Sequence, residues 1–207
     1  MHGCLGNERN QMVQLGEKFE QALAYALRLH AGQARKGTQV PYAAHLLAVS
    51  ALVLEDGGSE VEAIAGLLHD AVEDQGGLDT LHEIQRRFGV EVAGIVKGCS
   101  DSMEIPKPPW KPRKQAYMEH LLHASDNVCR VSLADKLHNA RAIHRDFRLL
   151  GDALWQRFAG GKDGTLWYYA SLVQVFQQRS ASPLVNDLAD IVSRIEHLAR
   201  AAAAAPA

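Results

Sequence analysis

Two histidines and two aspartates are spaced along this chain so that they could share one metal ion. They are His45 in Pro41-Tyr42-x-x-His45, the adjacent pair His69-Asp70, and Asp135 in Leu133-Ala134-Asp135-Lys136. Two imidazoles with two carboxylates make a mixed nitrogen and oxygen donor set. Such a set suits a divalent first-row cation, manganese or iron rather than structural zinc. Neighbours on a helix diverge by roughly 100°, but a cation lodged at the helix flank can touch both His69 and Asp70. His45 and Asp135 then arrive from separate helices. Glu73 and Asp74 stand four residues beyond His69 and Asp70 and are expected on the same helical face. So many ionisable groups on one apolar-flanked helix would repel one another without a cation. A cation relieves that repulsion and acidifies water, whose proton a free carboxylate can accept. A His-Asp dipeptide alone is common by chance; the three separated segments together carry the meaning.

The elements that must position these residues are all helical in pattern, with no strand-like alternation, so the fold class is all-α. A first helix places Phe19, Leu23, Ala26, Leu27 and His30 on one face. Arg35-Lys36-Gly37-Thr38-Gln39-Val40-Pro41-Tyr42 form a loop, and a second helix runs from Ala43 to Asp56-Gly57-Gly58. Ser59 with Glu62 reads as a capping box for a third helix with the stripe Val61, Ile64, Ala65 and Leu68. Thr80 with Glu83 reads as the cap of a further short helix ending at Gly89. Four prolines exclude helix from Ile105 to Pro112. Helices resume over Arg113–His123 and Asn127–Arg145. Gly160 to Gly164 form a break before a helix bearing Leu166, Tyr169, Leu172, Val173 and Phe176. Ser182 and Pro183 open the last helix. The expected organisation is an N-terminal extension (1–15), one helical domain (16–200) and an Ala-rich tail (201–207).

Composition limits the function classes. Of 207 residues 47% are hydrophobic and 22% charged, an ordinary globular profile, and the net charge of −2 disfavours a broad grip on nucleic acid. Cys4, Cys99 and Cys129 are odd in number and far apart, against a disulfide framework or a thiolate zinc site. The N-terminus has no signal-peptide pattern, and no stretch approaches the roughly 20 apolar residues of a membrane span. The expected compartment is the cytoplasm, with a small molecule as partner. Oligomeric state stays open.

Basic residues on two loops, Arg35 and Lys36 with Lys107, Lys111, Arg113 and Lys114, would stabilise charge gathering on a phosphate leaving group. The Lys/Pro loop is equally readable as a solvated surface segment. His30 is readable as a packed histidine or a site residue, and His138 as lining the pocket. Tyr25, Trp155, Trp167, Tyr168 and Tyr169 occur at helical spacing and are expected in the core.

Taken in order, Arg35-Lys36-Gly37-Thr38, Pro41-Tyr42-x-x-His45, Leu68-His69-Asp70-x-x-Glu73-Asp74 and Leu133-Ala134-Asp135-Lys136-Leu137-His138-Asn139 resemble the HD-type hydrolase domain of the Rel/Spo alarmone enzymes. With no synthetase domain present, the chain resembles the small alarmone hydrolases. The resemblance implies a single HD-type helical bundle and manganese-dependent (Mn2+) removal of the 3′-pyrophosphate from guanosine alarmones. It implies that His45, His69, Asp70 and Asp135 bind the metal, and that Glu73 and Asp74 orient and deprotonate the attacking water. It further implies that Arg35 and Lys36 contact base and phosphates, and Asn139 the nucleoside. Position 142 is Ala where the family frequently has a hydroxyl residue. Relatives of this type also accept adenosine alarmones or NADPH. A non-catalytic regulatory module holding a structural metal is the alternative from another class.

Overall fold

The computed structural model describes residues 12–102 and 106–204. Regular structure among them is helical, in the order α1 (Glu17–Leu29), α2 (Ala43–Glu55), α3 (Glu60–Leu68), α4 (Ala71–Asp74), α5 (Gly77–Phe88), α6 (Val90–Cys99), α7 (Trp110–His123), α8 (Asp126–Leu150), a 3-10 turn η1 (Gly151–Arg157), α9 (Gly161–Arg179) and α10 (Pro183–Ala204). An isolated antiparallel bridge joins Ala34 to Pro41 and closes the loop between α1 and α2. The fold is all-α, as the helical periodicity requires.

Helix α8 is the axis. Its buried side chains Val131, Leu133, Ala134, Leu137, Ala140, Ile143 and Phe147 pack among α2, α3, α6, α9 and α10. Helix α3 is buried from Glu62 to Leu68, as a helix apolar on all sides must be. Its start is the expected capping box, with Ser59 and Glu62 satisfying each other's backbone amides. Of the expected stripe on α1, Ala26 and His30 are buried and Phe19 and Leu23 pack against the core, joined by Ala22 and Tyr25, whereas Leu27 is 43% exposed.

Four local expectations are corrected. His69 and Asp70 do not lie within one helix with Glu73 and Asp74: α3 ends at Leu68 and α4 begins at Ala71. The His69 ring donates through Nδ1 to the Gly66 carbonyl at 2.8 Å, the acceptor an unbroken helix would offer to the amide of residue 70. Thr80 is not a cap. Helix α5 starts at Gly77, and the Thr80 hydroxyl donates back to the Gln75 carbonyl at 2.7 Å. Trp110 to Pro112 are helical, because Pro112 falls in the first turn of α7, where a missing N–H costs nothing. Ala201 to Ala204 continue α10, in keeping with alanine's helix propensity. Most of the expected N-terminal extension (1–11), Cys4 and residues 205–207 lie outside the described residues.

Helices α2 and α3 pack closely at Gly66, where an added Cβ would lie 3.1 Å from the Ser50 Cα. This contact sets how near His45 on α2 comes to His69 at the end of α3. Gly66→Val should therefore destabilise the protein by about 1–3 kcal/mol through overpacking. Urea titration would show a lower midpoint at unchanged slope; an unchanged midpoint would contradict the close-packing account.

Candidate active site

The four donors predicted from sequence meet in one place. His45 Nε2 lies 3.2 Å from His69 Nε2, 3.4 Å from Asp70 Oδ2 and 3.2 Å from Asp135 Oδ1. His69 Nε2 lies 2.9 Å from the same Asp70 oxygen and 3.6 Å from the same Asp135 oxygen. Ligands about 2.1 Å from a common cation stand roughly 3.0–3.4 Å from one another, so His45, His69 and Asp70 are spaced for one divalent ion, and Asp135 Oδ1 stands beside both imidazoles. His45, His69 and Asp70 meet the requirements of a metal-holding group. The His45 and His69 side chains are 0% and 2% exposed and that of Asp135 8%. Asp70, at 21%, forms the open side.

Each donor is oriented by a second contact. The His69 Nδ1–H bond to Gly66 turns Nε2 to the centre. His45 is turned the same way by His138, whose Nδ1 lies 2.7 Å from His45 Nδ1. Burial, with His45 and Arg35 adding to it, pushes the His138 pKa down to about 4, so His138 is neutral and suited to accept the His45 proton. This corrects the expectation that His138 lines the pocket: it sits on the face of α8 that meets α2. The Tyr42 hydroxyl donates to Asp70 Oδ2 at 2.6 Å. Asp135 receives Asn139 Nδ2 on Oδ1 and Lys136 Nζ on Oδ2, the latter at 2.6 Å.

Burial opposes charge on His69, Asp70 and Asp135, yet the cluster overcomes it. Against desolvation, the Asp70 and Asp135 carboxylates hold His69 well above its ordinary 6.5. Also against desolvation, His69 and His45 hold Asp70 well below 3.8, and Lys136 with the two imidazoles does the same for Asp135.

Glu73 and Asp74, on α4, follow the cluster. Burial and the neighbouring Asp101 raise the Glu73 pKa, against the Lys107 ammonium 2.6 Å away. Lys107 thus pairs with Glu73 and is absent from the cleft wall, where the sequence had placed a phosphate contact. Asp101 is a site residue that sequence reasoning missed. Its side chain is 6% exposed, and Arg113 and Lys114 both bind it, Lys114 at 2.6 Å. Asp74 Oδ2 accepts from Gln33 Nε2 at 2.8 Å.

Beside the cluster lies a cleft of about 440 Å³ between the α1–α2 loop, α7, α8, η1 and α9. Arg35, Lys36, Arg113, Lys114 and Asn139, the residues expected to contact substrate, line it. Lys136, Arg145, Arg157, Trp110 and Phe158 do so without having been read as site residues. Asp146 is the acidic residue among the lining, so the cleft is strongly basic. Arg35 bonds Asn139 Oδ1 at 2.5 Å and lies over the Tyr42 ring. The turn that presents Arg35 and Lys36 needs Gly37, whose φ is +71° and whose Cβ would strike the Arg157 side chain. Tyr168 and Tyr169 are buried, as expected of core residues, but also wall the cleft. Lys111 lies over the Trp167 ring at 5.2 Å.

Residues 22–166 match the HD domain family. The chain is 38% identical over 128 residues to the guanosine-3′,5′-bis(diphosphate) 3′-pyrophosphohydrolase MESH1 of Xenopus tropicalis, covering 60% of this chain and 69% of that protein. It is 37% identical over 128 residues to a probable enzyme of the same name from Synechocystis, covering 59% of this chain but 16% of that longer protein. A solved structure of a metazoan SpoT ortholog that hydrolyses ppGpp superposes with a TM-score of 0.73 at 25% identity, covering 88% of this chain and 97% of that one.

Ionisation of the cluster gives a pH test. In cation-free protein, the raised His69 pKa contributes stability that is full below 6.5 and lost as pH rises through the folded value. The depressed Asp70 and Asp135 contribute above 3.8 and are lost as pH falls. Cation-free protein should therefore be most stable between these limits. Adding Mn2+ at pH 7 should release protons from the cluster, with affinity falling as pH drops. Calorimetry in buffers of different ionisation enthalpy measures this; binding without proton release would contradict the geometry.

Proposed function

We propose a hydrolytic function from one premise: the chain belongs to the HD domain family. It removes the 3′-pyrophosphate from guanosine alarmones, converting ppGpp or pppGpp to GDP or GTP. The observation that carries this reading is the convergence of four metal-type donors beside a basic, aromatic-walled cleft. The names of the relatives support the substrate class.

His45, His69, Asp70 and Asp135 would hold a divalent cation, which we take to be manganese because two carboxylates and two imidazoles favour a harder ion than structural zinc. When bound, it supplies Lewis-acid polarisation of water and of a phosphoryl oxygen. The remaining work falls to the protein. Glu73 and Asp74 orient water and accept its proton; the raised pKa of Glu73 brings it nearer the working pH, which improves a general base. Water oxygen bonds to the phosphorus carried by O3′, the O3′–P bond breaks, O3′ gains a proton and pyrophosphate departs. Lys136, Lys114 and Arg113 face the charge that gathers there. Arg35, braced by Asn139 and Tyr42, contacts the nucleoside.

Ala142 puts a methyl on the cleft wall, which favours testing adenosine alarmones and NADPH as second substrates. We take residues 16–200 as the catalytic domain. The free, buried thiols Cys99 and Cys129 support a reducing compartment, the cytoplasm, and no helix among the described residues is long and apolar enough to cross a membrane.

Purified protein with Mn2+ should release pyrophosphate from ppGpp. Glu73→Gln and Asp74→Asn should each lower kcat by about 10²–10⁴-fold with metal content retained. Metal-replete protein that releases none from any of these nucleotides would overturn the reading. Arg35→Ala should raise KM more than it lowers kcat, since a binding contact made equally in ground and transition states acts on KM.

A further inference from the structure

Asp74 is exposed and stands on the four-residue helix α4, yet its carboxylate is held from a distant segment. The Gln33 amide, in the turn after α1, donates through Nε2 to Asp74 Oδ2 at 2.8 Å. Gln33 is pinned in turn: its Oε1 lies 2.6 Å from Gln75 Nε2 and 2.6 Å from His30 Nδ1. A carboxylate only accepts hydrogen bonds, so the NH2 group of Gln33 must face Asp74. Oε1 then faces two donors, and His30 must carry its proton on Nδ1. His30 Nε2 is buried without a partner; a bare lone pair there costs less than an unpaired N–H would.

The far end of this chain returns to the metal-type cluster. His30 is 3% exposed and stacks on the Tyr42 ring at 5.2 Å and 13°. The Tyr42 hydroxyl donates to Asp70 Oδ2. One set of contacts therefore fixes Asp74 relative to Asp70. His30, readable from sequence as packing or site, anchors that set, and no sequence signal singled out Gln33.

We propose that Gln33 is a positioning residue for the hydrolytic reaction. It holds Asp74 in one rotamer, with Oδ2 occupied and Oδ1 left to orient the attacking water, while His30 and Gln75 fix the polarity of the amide. This rests on the hydrolase reading of Asp74.

The test uses Q33M, which keeps the volume but loses both polar contacts, and Q33E, which sets a second carboxylate against Asp74. With Mn2+ and ppGpp, Q33M should lower kcat about tenfold or more, as small misplacements of reacting groups do, and Q33E further. KM and bound manganese should stay near wild type. Wild-type kcat in both variants would overturn the proposal, as would a loss confined to KM or to manganese content. Crystal structures of both variants give a readout independent of substrate. Asp74 displaced or split between rotamers supports the positioning role; Asp74 in its wild-type place overturns it. Should the wild-type protein release no pyrophosphate, the hydrolase reading fails, while these structures still decide whether Gln33 positions Asp74.

Discussion

Two carboxylates brought within 2.9–3.6 Å of the same two imidazoles inside a protein form an arrangement that only positive charge can hold. Left alone in an apolar interior, Asp70 and Asp135 would bind protons. Here both are driven the other way, against their desolvation, by the imidazoles and by Lys136. The same demand explains the surrounding contacts. Tyr42, Lys136 and Asn139 occupy carboxylate oxygens, while Gly66 and His138 each take one ring nitrogen. A buried polar network of this density is stable only when its members are satisfied together.

That constraint shapes the fold. Helices α2 and α3 must pack closely enough for two imidazoles to meet, which the absence of a side chain at Gly66 eases. Helix α3 must stop at Leu68, so that His69 can turn back to Gly66 and Asp70 can face the same centre. Helix α8 then serves both halves of the site, with Asp135 in the cluster and Lys136 and Asn139 in the cleft wall. Charge is divided accordingly. Acidic groups gather at the donor cluster and on α4, and cations line the adjoining cleft, an arrangement suited to a cation bridging protein and a phosphorylated substrate.

The helical pattern and the Ser59 capping box were legible in the sequence because each rests on residue type and short spacing, and His45, His69, Asp70 and Asp135 because three separated segments carry side chains of one chemical kind. What escaped notice depended on contacts across the chain. Asp101 follows the end of α6 with no motif around it, and only folding brings Arg113 and Lys114 onto it. Arg145 and Arg157 carry no motif, and only the return of η1 beside the α1–α2 loop sets them on the cleft. Lys107 was read by its charge as a phosphate contact, yet its partner is Glu73. The break at His69 and Asp70 was hidden because its cause is a side chain capturing a backbone carbonyl, which leaves no mark on hydrophobic periodicity. Pro112 misled in the opposite sense: four prolines exclude a helix interior but not its first turn.

The most direct measurement is anomalous diffraction at the manganese absorption edge from crystals grown with Mn2+. One peak should stand about 2.0–2.2 Å from His45 Nε2, His69 Nε2, Asp70 Oδ2 and Asp135 Oδ1, with those side chains close to where they already lie. A peak bound elsewhere, or none at this centre in protein that binds manganese, would contradict the claim that these four groups share one ion.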